Sequence, residues 1–167
     1  MTAASGDATA SDGPADQGTS APLPEAFAEI VDDFHAVSGN DRVQMLLEFA
    51  DDLPELPERY RDHPELLEPV PECQSPIFVI TEVDGQGEDA PARLFFSAPP
   101  EAPTTRGFAG ILAAGLEGLT VGQIRAVPAD VTENLGLAEV VSPLRLRGMA
   151  GMLGRIKRQL GEKAGLQ

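Results

Sequence analysis

The sequence predicts an α+β domain in which helices pack against a small antiparallel sheet, and three observations predict it. Two runs rich in β-branched and aromatic residues, "PIFVITEV" and "ARLFFSAP", follow one another across a Gly- and Asp-rich turn segment, the pattern of a hairpin. Apolar residues at helical spacing precede that pair twice and follow it several times, so strand and helix do not alternate as they do around a parallel sheet. A length of 167 residues suffices for one core and is short for two. The expectation is a single domain without internal repeats.

Residues 1–22, "MTAASGDATASDGPADQGTSAP", hold no large apolar residue after Met1 and cannot offset their own ordering entropy. They are expected to form a disordered tail, with the domain over residues 23–163 and a short C-terminal tail at 164–167. From Pro24, the residues Phe27, Ile30, Val31, Phe34 and Val37 recur at helical spacing and Gly39 stops the run. Asp41 and Gln44 have the spacing of a capping box for a second helix, whose apolar face runs from Val43 to Leu53 before Pro54 ends it. Prolines at 54, 57, 64, 69 and 71 then predict a surface loop leading to Cys73. After the hairpin, "TRGFAGILAAGLEGL" is helical in composition despite its glycines, and Thr120 with Gln123 forms a second capping-box pattern opening a short helix. Ser142 as cap and Pro143 at the first helical position open the closing helix, with Leu146, Met149, Met152, Leu153, Ile156 and Leu160 as its apolar face.

The formal charge of −15 argues against nucleic-acid binding, which needs a surplus of Lys and Arg to release phosphate counterions. The charge is uneven: from Ser142 onward six basic residues face only Glu162, an asymmetry able to steer a partner or simply to solvate a helix. The longest apolar run, "GFAGILAAGL", is too short to span a bilayer, so no membrane span is expected. No signal-like segment opens the sequence and its one cysteine cannot form an intrachain disulfide, which together predict a cytoplasmic protein.

Chemistry centres on that cysteine. A free cysteine commonly packs as a small hydrophobe, but Pro71, Glu72, Gln74, Ser75 and Pro76 surround Cys73 with turn-forming and polar residues suited to a loop. As a nucleophile it must react as thiolate, and Glu72 beside it disfavours that form, so activation has to come from elsewhere in the fold or from a partner. Arg145 stands in the first turn of the closing helix, where the macrodipole disfavours a cation; it either serves an anion or points into water. His35 and His63 have no spacing that ties them to Cys73, and one Cys with two scattered His makes a poor zinc site, so neither metal nor cofactor is expected. The "DGQGED" segment lacks both a calcium-loop and a phosphate-loop pattern and reads as a turn, and "DDLPELPE" reads as a solvated acidic face.

Three stretches, "LPELPERY", "ECQSPIFVI" and "VSPLRLRGMAGM", together make the chain resemble the SufE family of sulfur acceptors that work with cysteine desulfurases in iron–sulfur cluster assembly. The likeness runs from about Pro24 to about Lys163, the span of the expected SufE-like sulfur-acceptor domain. By this resemblance Cys73 matches the persulfide-accepting cysteine, Gln74 and Ser75 the two polar residues after it, and Arg145 the arginine of a Ser-Pro-x-Arg segment. Arg106 and Gly107 match the start of a family helix. Two departures stand out: Glu72 replaces a customary glycine, which bears on the freedom of the loop backbone, and Glu101 stands where an aspartate is common.

The resemblance implies trans-persulfuration by an accessory protein rather than a stand-alone enzyme, with a cysteine desulfurase and an iron–sulfur scaffold protein as partners. It also implies stimulation of the desulfurase, and a sulfur sheltered in an apolar cavity until docking exposes it. A lone thiol suits such a relay, because a second nearby thiol would divert the persulfide into a disulfide. Two other readings remain from the residues alone: a non-catalytic binding module in which Cys73 merely packs, and a thiol redox sensor drawing on an outside resolving thiol.

Overall fold

The structure, a computed structural model, describes residues 22–166. The tail expected over residues 1–22 lies, but for its last residue, outside the described residues.

Helices α1 (Glu25–His35) and α2 (Asn40–Asp51) form where their apolar spacing predicts and both pack on the helix that follows the sheet, with Phe27, Ile30 and Phe34 of α1 buried. The turn between them differs in detail from the expectation. Gly39, at φ +53°, occupies the N-cap of α2, so Asp41 falls inside the first turn and closes no capping box. There its carboxylate favours the helix through the macrodipole alone.

The proline-rich stretch is more structured than a plain loop. Between its prolines it forms a single helical turn, α3 (Glu58–Arg61), a 3-10 turn over Pro64–Leu66, and a two-residue strand, β1 (Glu68–Pro69). Proline spacing forbids a long helix but permits one-turn pieces that begin at or just after a proline, which is where both turns start. β1 pairs antiparallel with β2 (Phe78–Val83), and β2 with β3 (Ala92–Ser97), giving a three-stranded sheet in sequence order. The hairpin expected from the two β-rich runs is therefore present and carries one strand more, too short to show any alternation of its own.

Helix α4 (Pro103–Leu116) is buried along most of its length. Its glycines are there for close approach: a Cβ at Gly110 would lie 2.1 Å from the carbonyl oxygen of Phe49 in α2. Thr120 and Gln123 do form the expected capping box, opening α5 (Val121–Arg125). Two 3-10 stretches, Ala129–Leu135 and Leu137–Glu139, lead to α6 (Pro143–Lys163), whose cap Ser142 accepts a hydrogen bond from the Arg145 N–H. α6 crosses the sheet against β2, burying Met149, Met152, Leu153, Ile156 and Leu160. The packed region runs past residue 163: Ala164 is buried and its carbonyl accepts from the Gly87 N–H at 2.9 Å.

Arg42, which the sequence did not single out, ties the helical side together by donating to the carbonyls of Phe34, Val37 and Gly136. Among the described residues no helix is long and apolar enough to cross a membrane.

Candidate functional site

Because β1 pairs with β2, Cys73 lies in a hairpin loop. Glu68 pairs with Val79 and Pro69 with Phe78, and the Val70 N–H donates to the Ile77 carbonyl at 3.0 Å, closing a loop of six residues, "PECQSP". Within it Pro71–Cys73 make a 3-10 turn, and the chain reverses at Gln74, whose φ of +58° is the one left-handed backbone conformation of a non-glycine among the described residues. The positive φ thus falls one residue after the cysteine. Glu72 needs no glycine-like freedom, so the departure noted at that position places no strain on the backbone.

The Cys73 side chain turns inward and is 8% exposed, while Pro71, Glu72, Gln74 and Pro76 around it are exposed. It packs on α6 where that helix carries Gly148: a Cβ there would sit 2.8 Å from Sγ and 3.0 Å from the Cys73 Cα. Only a glycine lets the loop lie this close. Gly151, one turn on, likewise lies against the loop, where a Cβ would sit 3.2 Å from the Glu72 carboxylate, so the Gly148–Gly151 spacing in "RGMAG" was a readable signal of close approach.

Ion pairs clamp the same loop to α6. The Glu72 carboxylate meets Arg155 at 2.8 Å, Arg155 reaches Glu68 at 3.3 Å, and Arg158 pairs with both Glu68 and Glu162. Arg155 and Arg158 of the basic set in α6 are therefore spent largely on Glu72 of the cysteine loop and Glu68 of the strand that leads into it. Burial, and after it the negative charge of Glu72, pushes the Cys73 thiol up from an ordinary 9.0 to about 11, with Arg155 pulling the other way. At neutral pH the sulfur is a protonated, sheltered thiol.

Of the other expected residues, the fold brings only some to this centre. Gln74 and Ser75 share the loop with Cys73. Arg145 is exposed, three residues before Gly148 on α6 and so one turn from the sulfur contact, and donates to Thr104 Oγ1 at 3.2 Å. Glu101 is exposed in the turn before α4. Arg106 is a strap, donating to the Ala98 carbonyl at 2.7 Å and to the Ala50 carbonyl at 3.3 Å, which fixes α4 to the ends of β3 and α2. His63 pairs with Glu65 and His35 with the Asn134 carbonyl, each in an exposed position. Among the described residues no group of three or more His, Cys, Asp or Glu is placed to hold a metal ion.

Comparison with known proteins gives a consistent result. A profile of the family described as SufE, Fe-S metabolism associated domain, matches residues 28–160. An uncharacterized SufE-like protein of Mycobacterium tuberculosis is 55% identical over 142 residues, covering 85% of this chain and 96% of the relative. An uncharacterized SufE-like protein of Rhizobium meliloti is 31% identical over 131 residues, covering 77% of this chain and 90% of the relative. The solution structure of a hypothetical protein from Thermus thermophilus superposes with a TM-score of 0.74 at 35% identity, covering 86% of this chain and 99% of that one.

Proposed function

Because this chain belongs to the SufE family, a family associated with iron–sulfur metabolism, we propose that Cys73 accepts sulfur from the persulfide of a cysteine desulfurase and passes it to an iron–sulfur scaffold protein. The observation that carries this reading is the placement of the thiol: buried against α6, yet on a six-residue loop whose other side chains are mostly at the surface. Such a sulfur is protected when the protein is alone and is one loop movement away from a partner.

In the transfer the Cys73 thiolate attacks the terminal sulfur of the desulfurase persulfide. A new S–S bond forms on Cys73, the S–S bond of the donor breaks, and the donor cysteine leaves as thiolate, so the sulfane sulfur changes carrier without net oxidation. A nucleophile of the scaffold repeats the displacement on the Cys73 persulfide and returns Cys73 as thiolate. The sheltered state does not supply the nucleophile, since burial holds the thiol protonated well above neutral pH. Docking has to bring Cys73 off Gly148 into a more polar setting, which lowers its pKa toward the ordinary value and also frees Arg155 from Glu72.

The same protonated state speaks against peroxide sensing by the free protein, because oxidation to sulfenic acid also proceeds through thiolate. The test is desulfurase turnover measured with and without this protein. Stimulation by the natural sequence and its loss in Cys73→Ser is the expected result, and equal stimulation by both would overturn the carrier role.

A further inference from the structure

We propose a second interaction surface, independent of Cys73: the outer edge of β3 docks an extended segment of a partner protein that carries an apolar side chain between basic residues. The argument begins with which backbone groups of the sheet are satisfied. The Asp84 N–H donates to the Pro91 carbonyl at 3.0 Å, and in an antiparallel ladder the bonded pairs then recur at every second residue. Arg93, Phe95 and Ser97 therefore direct their N–H and C=O groups at β2, while Ala92, Leu94, Phe96 and Ala98 direct theirs outward.

Both ends of that outward row are occupied. The Ala92 N–H donates to Leu119 at 3.2 Å, and the Ala98 carbonyl accepts from Arg106 at 2.7 Å. Between them, no protein group among the described residues bonds the N–H or C=O of Leu94 or Phe96. The opposite perimeter is covered over much of its length. Pro69, the outward residue of β1, has no N–H to offer, and beyond the end of β1 the helix α6 stands in for a strand. There Gln159 accepts from the Thr81 N–H at 2.9 Å and Lys163 donates to the Thr81 carbonyl. An edge left open at two adjacent outward positions is a template for one more short strand.

What flanks the opening defines the strand it takes. The chain joins this edge only at Leu119, just after Gly118 at φ +74°, and a cleft of about 360 Å³ lies along β3 between it and α4. Its walls are apolar, with Leu53, Phe96, Ala113 and Leu116 among them, and Asp52, Glu55 and Glu117 bring carboxylates to it. Arg93, its one basic residue, is already held by Glu82 at 3.0 Å. Backbone pairing to Leu94 and Phe96 thus comes with a pocket for a large apolar side chain and with negative charge for Lys or Arg beside it. Residues 1–21 of this chain, with three aspartates and no base, do not match that charge, and a second copy would bring the same carboxylates face to face.

The test is a titration of the full chain, followed by its amide NMR spectrum, with the blocked peptide acetyl-Lys-Val-Leu-Val-Lys-amide. The expected result is saturable shifts centred on the Leu94 and Phe96 amides, weakened about tenfold or more when both lysines are replaced by glutamate and abolished by Ala114→Trp, which fills the cleft from an exposed position of α4. Two N-methylated peptides test the pairing itself: only one edge of an added strand faces β3, so methylation of the leucine or of both valines, but not each, should prevent binding. Shifts centred on Cys73–Ser75, no saturable shifts at Leu94 and Phe96, or equal binding of both methylated peptides would overturn the proposal. Concentration-dependent shifts of the Leu94 and Phe96 amides without peptide would overturn it in favour of a second copy.

Discussion

The two edges of the sheet are finished in opposite ways. The β1 edge is two residues long, contains a proline, and is clamped by Glu68, Glu72, Arg155 and Arg158. The β3 edge offers unpaired backbone beside an apolar cleft. Short strands, proline and charge are the usual means of discouraging a sheet from extending, and here they guard the edge that carries the thiol. The comparison teaches that the cysteine loop is closed by a few specific contacts that must break before the thiol is exposed, whereas the backbone of the far edge is open as it stands.

The contact most able to break this contrast is Gly148. Replacing it with valine puts atoms 2.8 Å from Sγ and 3.0 Å from the Cys73 Cα, which a flexible side chain alone cannot relieve. Gly148→Val is expected to push the loop off α6, raise the rate of Cys73 alkylation about tenfold or more, and cost about 1–3 kcal/mol of stability in urea unfolding. An unchanged alkylation rate would show that the loop is not held by this packing.

A comparable effect is expected from pH. The folded chain holds the thiol protonated to about 11, whereas an unfolded chain ionises it near 9.0. The stabilising contribution is therefore complete below pH 9 and is lost as pH rises toward 11, up to about 3 kcal/mol. Unfolding of the natural protein against Cys73→Ala across that interval isolates it, and parallel curves for the two would contradict the burial of the sulfur.

The ion pairs should move the thiol less, and in opposite senses. Glu72→Gln removes a negative neighbour and lowers the pH midpoint of Cys73 alkylation, while Arg155→Gln removes a positive one and raises it. Both substitutions loosen the loop with little change in global stability, as befits partly exposed pairs. The smallest effect is the control from the far edge: Ala114→Trp should change stability by no more than about 0.5 kcal/mol and leave Cys73 alkylation unaltered.

Much of this architecture was legible in the residues because it rests on periodicity and caps. The α1, α2 and α6 faces, the Thr120–Gln123 capping box and the β2–β3 hairpin follow from spacing alone. β1 did not, since two residues carry no period and the pairing that makes them a strand is supplied by β2. For the same reason the proline-rich stretch read as a loop to the cysteine rather than as one arm of a hairpin. Cys73, Gln74 and Ser75 were found as a local pattern, but Gly148 and Arg155 touch that loop from positions 75 and 83 residues away along the chain, contacts that only the folded arrangement creates. Arg106 shows the converse: the resemblance singled it out as a site candidate, whereas its hydrogen bonds go to two backbone carbonyls that hold α4 in place.

The central claim, that Cys73 carries sulfur between proteins, is tested most directly by the intact mass of the protein after incubation with a cysteine desulfurase and free cysteine. The account predicts the added mass of sulfur on the natural sequence, removed by reductant and absent from Cys73→Ser. No added sulfur, or the same addition on Cys73→Ser, would contradict it.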